Sequence, residues 1–274
     1  MPVTLGATPT EVNLNSTDPA IPEGKLGVTF QASDPYPDPN DTSRMVRDVS
    51  AYTEAGGGTG VADSVDSPPA SPGSLDDEFD AASFDTDRWA WVNQGSAAID
   101  QHHSCALLSA PYAAAEIVHA VIQPAPSTPW EVTARLGLQG SVNAMHAGWV
   151  RTGLILYDSG SGRLRGFGQG TVQGLQYINV IDYTNTTTYY AMAAGGGVAC
   201  TLYPWVYLRI KDDGTDLTFS FSHHGVQFVP IYGPISRTAF LTNGPDYVGI
   251  YVNNNQSSGA LDLNVICDWF RRTL

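Results

Sequence analysis

Cysteine is scarce: Cys105, Cys200 and Cys267 are the whole complement of 274 residues. An odd number at wide spacing argues against a disulfide framework, and the three lack metal-site spacing, so buried thiols are expected. Basic residues are also few, 13 Lys and Arg against 27 Asp and Glu, for a formal net charge of −14. A chain this acidic repels phosphate backbones and anionic lipid surfaces, which argues against nucleic acid as a partner. No run of about 18 apolar residues occurs, so no membrane insertion is expected. Met1 to Gly24 has neither the basic n-region nor the apolar h-region of a signal peptide. The chain is therefore expected to be made in a host cytoplasm and to work outside a cell only after lysis or as part of a particle.

Helical periodicity is missing too. No segment beyond Leu75 sustains a 3.6-residue apolar repeat, whereas short alternating patterns recur between Gly, Asn and Asp punctuation. The clearest runs from Trp130 to Leu138, where Trp130, Val132, Ala134, Leu136 and Leu138 alternate with Glu131, Thr133, Arg135 and Gly137. One face of that strand is expected in a core and the other in solvent. Further strands are expected at 116–122, 149–157, 163–167, 176–181, 187–192, 205–211, 217–222, 226–231, 247–253 and 261–270. Asp212-Asp213-Gly214 and His223-His224-Gly225 read as hairpin turns, because glycine supplies positive φ. Roughly a dozen strands in about 200 residues is the density of a two-sheet sandwich or jelly roll.

Residues 1–74 have a different composition, with ten of the 18 prolines, no tryptophan, ten acidic residues and three basic ones. The X-Pro steps of Asp34-Pro35-Tyr36-Pro37-Asp38-Pro39 force an extended path. Residues 1–52 are expected to form an extended anchoring arm, with a short strand at Gly27 to Ala32. Phe30, Tyr36, Arg44, Met45, Arg47 and Tyr52 are its candidate contacts. Residues 53–74, rich in Gly, Pro and Ser, read as a linker, and 75–274 as the sandwich.

Five segments in order carry a resemblance: LDDEFDAASFDTDRWAWVNQ (75–94), PWEVTARL (129–136), YLRIKDDGTDLTFSFSHHGVQF (207–228), YVGIYVNN (247–254) and VICDWF (265–270). Together they resemble the concanavalin A-like lectin/glucanase superfamily, especially accessory sandwiches beside glycosidases and in bacteriophage proteins. The resemblance implies an all-β jelly-roll sandwich. GKLGVTFQASDPYPDPND (24–41) and MVRDVSAY (45–52) resemble N-terminal segments of phage virion structural proteins. That likeness implies a virion location, as a capsid decoration or head fibre, with other virion proteins as partners and homo-oligomers, trimers among them.

Catalytic signatures are lacking. The superfamily's laminarinase-type E-x-D-x-x-E strand, whose alternate carboxylates share one face, is not found. Asp76-Asp77-Glu78-Phe79-Asp80 sits at the domain entrance with adjacent carboxylates pointing oppositely. There is no G-x-S-x-G elbow, and the adjacent pairs His102-His103 and His223-His224 diverge along a strand and do not chelate one ion. The expectation is a protein without enzymatic activity and without a cofactor. Asp85, Asp87, Asp158, Asp182, Asp212, Asp213 and Asp216 lie in or near turns where Ca²⁺ is held in some lectin-like relatives, but with no EF-hand spacing.

Sugar recognition needs aromatic planes beside amides and carboxylates. Tyr183, Tyr189 and Tyr190 flank Asn179, Asp182 and Asn185, and Trp91 lies beside Asn93 and Gln94, so these are the candidate contacts with a host-surface glycan. Trp89, Trp91, Trp149, Trp205 and Trp269 equally fit core or half-buried sheet positions. A tail adhesin and a free carbohydrate-binding module are the alternatives to a virion decoration.

Overall fold

The computed structural model describes residues 73–102, 104–139, 148–172, 175–193, 198–199, 205–256 and 262–272, together with the backbone of five short N-terminal strands. By contact the chain divides into two units, 1–64 and 65–274. In the first, β1 (Val12–Asn13), β2 (Gly27–Ala32) and β5 (Val49–Glu54) form a three-stranded sheet, and β3 (Tyr36–Asp38) pairs with β4 (Asp41–Val46). The expected strand at Gly27 to Ala32 is β2. The side chains of Phe30, Tyr36, Arg44, Met45 and Tyr52, and all of Arg47, lie outside the described residues.

The second unit is built from β6 (Ala90–Val92), β7 (Ala98–His102), β8 (Cys105–Ala110), β9 (Val118–Pro124), β10 (Trp130–Gln139), β11 (Gly148–Asp158), β12 (Arg163–Val172) and β13 (Leu175–Asn185). It continues with β14 (Thr188–Met192), β15 (Val198–Ala199), β16 (Val206–Asp212), β17 (Asp216–Ser222), β18 (Val229–Ser236), β19 (Tyr247–Gln256) and β20 (Leu263–Arg272). No helix occurs among the described residues. A seven-stranded sheet runs β18-β17-β16-β10-β20-β8-β7, and an eight-stranded sheet runs β14-β13-β12-β11-β19-β9-β6 with β15 on β13. Every pairing within the two sheets is antiparallel. The fold is an all-β jelly-roll sandwich behind an N-terminal arm. Sequence patterning missed β6 and β15, which span only three and two residues, β7, where Asp, Gln and His follow two apolar residues, and the short β8.

The core lies between the sheets. Val132, Ala134 and Leu136 of β10 face Val150, Leu154 and Leu156 of β11, Val180 of β13 and Ile250 of β19, all in one buried cluster. Side chains alternate across each strand, so the intervening residues of the eight-stranded sheet form a second apolar surface on its outer side: Ile155, Leu164, Ile181, Tyr183, Tyr251 and Ala120. At β10 the expected solvent face is corrected. Thr133 is buried, Arg209 Nε donates to its hydroxyl at 3.1 Å, and Arg135 lies over the Trp205 and Tyr207 rings. Long arginines from neighbouring strands cover what alternation alone leaves open.

Asp76, Asp77 and Glu78 latch the domain entrance to its last strand. Asp77 and Phe270 exchange backbone hydrogen bonds of 2.8 and 2.9 Å, and the Asp76 carboxylate accepts from Arg272 N and Gly73 N, both at 2.6 Å. Asp77 also accepts from Trp89 Nε1 at 2.8 Å, and Glu78 pairs with Arg271 at 2.6 Å. Both expected hairpin turns are present, with Gly214 at φ 96° and Gly225 at φ 72°.

Asp158 closes the β11–β12 hairpin. Burial pushes its pKa up, but hydrogen bonds from Asn243 N (3.0 Å), Ser161 Oγ (2.6 Å), Asn243 Nδ2 (3.1 Å) and Ser161 N (3.2 Å) more than offset this and hold it below the usual aspartate value. A depressed folded pKa contributes stability that is complete above the unfolded value, about 4, and is lost as the pH falls through the folded one. The denaturation midpoint should therefore drop as the pH falls below about 4, the unfolded aspartate value. Asp158→Asn should flatten that part of the profile, and an equally steep profile in the variant would show that other carboxylates carry the acid sensitivity.

Candidate functional site on the outer face of the eight-stranded sheet

The outer row of β11 is Trp149, Arg151, Gly153, Ile155 and Tyr157, and the register places Arg151 opposite Gly170 of β12 and Asn253 of β19. Beta-12 turns Leu164, Gly166, Gly168 and Gly170 to the same side, and β13 turns Tyr177, Asn179, Ile181 and Tyr183. The glycines form a floor without side chains. A β-carbon on Gly166 would stand 2.5 Å from Tyr251 Cζ, and one on Gly170 would stand 3.3 Å from Arg151 Cγ and 3.4 Å from Asn179 Nδ2. The Tyr251 ring, the Arg151 stem and the Asn179 amide therefore lie close to the sheet.

Arg151 is fully buried. Its Nη1 donates to both oxygens of Glu116 at 2.9 Å and approaches the Tyr183 hydroxyl at 3.4 Å. Asn253 Nδ2 donates to the same carboxylate and, at 3.3 Å, to the Tyr183 hydroxyl. The guanidinium carbon lies 5.3 Å from the Trp149 ring centre, 5.1 Å from Tyr189 and 6.0 Å from Tyr183. Burial opposes the charge of Arg151, but Tyr183 and Glu116 beside it raise its pKa above the ordinary arginine value. Burial likewise raises the pKa of Tyr183, which stays neutral and can both donate and accept. Trp149 and Tyr189 are each 37% exposed, and the Glu116 side chain is 18% exposed. Two partly open aromatic planes thus border an ion pair set in a network of amides and hydroxyls.

Of the residues expected from sequence, Asn179, Tyr183 and Tyr189 belong to this face. Asp182 does not: it stands on the inner side of β13, buried, and receives Arg165 Nε and Nη2 at 2.7 and 2.9 Å. Trp91 pairs with Val121 of β9 and packs on the inter-sheet core. Asn185 shapes the β13–β14 turn, accepting from Thr187 N at 2.9 Å. Tyr190, 61% exposed, stacks on Phe240 with ring centres 5.2 Å apart, away from Arg151. Sequence reading missed Glu116, Trp149, Arg151, Tyr251 and Asn253. The available signal was a lone arginine inside the apolar run of β11, in the same parity as Trp149.

Of the aspartates weighed for Ca²⁺, Asp85, Asp158, Asp182, Asp212 and Asp213 have carboxylates engaged in hydrogen bonds. Asp85 accepts from the amides of Asp87 and Arg88, Asp213 from those of Thr215 and Asp216, and Asp212 from Gly214 N and Arg237. Among the described residues no group of three or more His, Cys, Asp and Glu is placed to hold a metal. On the seven-stranded sheet, Arg135, Arg209 and Arg271 each stack on an aromatic ring and each pair with an acid: Asp268, Glu131 and Glu78.

No family model matches the chain, and no curated protein matches it in sequence. Among solved structures it is similar to the GH43 BlXynB protein of Bacillus licheniformis, at 16% identity and TM-score 0.55, over 94% of this chain and 55% of that one. It is also similar to the xylan β-1,4-xylosidase of Bacillus halodurans C-125, at 13% identity and TM-score 0.51, over 90% and 51%. A third is a GH43 glycoside hydrolase engineered for both endo-xylanase and exo-arabinofuranosidase activity, at 13% identity and TM-score 0.53, over 91% and 52%. The chain spans about half the length of each, and the likeness is one of fold. The expectation of a protein without enzymatic activity is corrected by these neighbours, which are glycoside hydrolases. The sandwich is a two-sheet all-β jelly roll similar in fold to these solved structures.

Proposed function

We propose that this protein recognises carbohydrate on the outer face of its eight-stranded sheet, and that its N-terminal arm tethers it to a larger particle, a phage virion. The observation that carries the first part is the pairing of two partly exposed rings, Trp149 and Tyr189, with a buried polar network at Glu116, Arg151, Tyr183 and Asn253. Sugars present an apolar face for stacking and a rim of hydroxyls for hydrogen bonds, and this surface supplies both. The virion location is supported by the arm's resemblance to phage structural proteins.

Trp149→Ala combined with Tyr189→Ala should lower affinity on a glycan array by at least about tenfold, since each stacked ring contributes on the order of 1 kcal/mol. An unchanged array profile would clear both rings. Copy number in purified phage particles, by quantitative mass spectrometry, tests the location. Hundreds of copies relative to the major capsid protein support a capsid decoration, a few dozen or fewer support a fibre or adhesin, and absence overturns the virion reading.

Hydrolysis at the same face is the second reading, favoured by Glu116, a carboxylate held beside the aromatic rings. Hydrolysis by paired carboxylates requires a second one about 5 to 10 Å away. Asp158 and Asp182 stand on the other side of the sheet. Release of reducing sugar from polysaccharides by the intact chain, abolished in Glu116→Gln, would establish it.

A further inference from the structure

Around Arg151 several polar atoms are buried without any hydrogen-bond partner: Arg151 Nε and Nη2, Asn179 Nδ2 and Oδ1, and Asn253 Oδ1. Buried groups left in this state each cost about 1 to 3 kcal/mol, so folded proteins rarely leave more than a few per hundred residues, and seldom side by side. Here they come from three strands, β13, β11 and β19, and share one face. Arg151 and Asn253 are directly opposed, and Arg151 and Asn179 meet across Gly170. Such a cluster is what a site retains when its ligand supplies the missing partners.

The chemistry of the unpartnered atoms specifies that ligand. Arg151 is already neutralised by Glu116, which takes both bonds from Nη1 and a third from Asn253. What remains is a mixed set: three nitrogens that donate and two amide oxygens that accept. An anion satisfies only donors, and it would face the Glu116 carboxylate and two amide oxygens at close range. A hydroxyl donates and accepts at once, so neighbouring hydroxyls on a sugar ring match the set.

We propose that the outer-face site selects an uncharged saccharide, held through adjacent ring hydroxyls by Arg151, Asn179 and Asn253, rather than a uronate, sialate or sulfated sugar. This rests on the carbohydrate reading above. Tyr189 borders the guanidinium from β14, the edge strand beside β13, and offers its ring to the face of the sugar.

The test uses the full chain on an array carrying neutral oligosaccharides (gluco-, xylo-, manno- and galacto-configured) and acidic ones (galacturonan, sialylated and sulfated chains), alongside Asn179→Leu. Leucine keeps the volume and removes two atoms that have no partner in the free protein, so the thermal midpoint should hold or rise while affinity falls at least about tenfold. Neutral chains bound by the wild type and lost in the variant is the expected result. Acidic chains bound equally or better would overturn the selectivity and leave carbohydrate recognition standing. Undiminished binding by Asn179→Leu would overturn the placement of the ligand. No saccharide bound at all would overturn both this inference and the reading beneath it.

Discussion

Asp182→Ala is expected to lower the unfolding free energy by about 3–5 kcal/mol, read as a reduced midpoint in urea or guanidinium with an unchanged slope. The carboxylate and Arg165 are nearly sealed from water, with side-chain exposures of 7% and 2%, and they meet through two bonds of 2.7 and 2.9 Å. Removing one charge strands the other between Tyr232 and Phe240, whose ring centres lie 5.8 and 5.6 Å from the guanidinium carbon. Replacing both partners, as Arg165→Met with Asp182→Leu, should restore most of the loss, because the desolvation penalty then disappears with the charges. Saccharide binding should survive in both variants. A loss below about 1 kcal/mol for Asp182→Ala would mean that water reaches the pair.

Glu116→Ala is the second large effect. Arg151 has no other acid within its hydrogen bonds and its side chain is completely buried, so the variant leaves a cation in an apolar setting. The expected cost is about 3 kcal/mol, at the lower end for buried pairs because the Glu116 side chain keeps 18% exposure. Glu116→Gln retains one accepting oxygen and should lose less. Both variants should also lose saccharide affinity, since Arg151 and Asn253 are oriented through this carboxylate. Retained stability together with lost affinity would make Glu116 a direct ligand contact instead of the anchor of Arg151.

These two expectations show where sequence was informative. The alternation of Trp130 to Leu138 reports β10 because every second side chain is apolar and the strand sits at the centre of a sheet. The same rule of alternation separates Asp182 from Tyr183: neighbours on a strand face opposite ways, so the tyrosine entered the outer network and the aspartate the inter-sheet ion pair. Grouping them by closeness along the chain put them wrongly together. Trp91 left the candidate set for the same reason, its ring turning to the core while Val92 turns outward. The centre of the site showed in the sequence only as the lone Arg151 in an apolar run; Glu116 and Asn253 lie 35 and 102 positions from it, and only the strand order β13-β12-β11-β19-β9 brings them into contact. The sandwich fold was legible from ordered short segments, whereas chemistry depends on which side of a strand each residue occupies.

The latch of Asp76 and Asp77 on β20 has a mechanical meaning. Any pull transmitted down the linker reaches the sandwich at Gly73 and is received by a small group of hydrogen bonds to Phe270 and Arg272, reinforced by the Glu78–Arg271 ion pair. They share the load and stand ahead of β6, the first strand of either sheet along the chain. A pull on the chain ahead of Gly73 would load this clasp before either sheet.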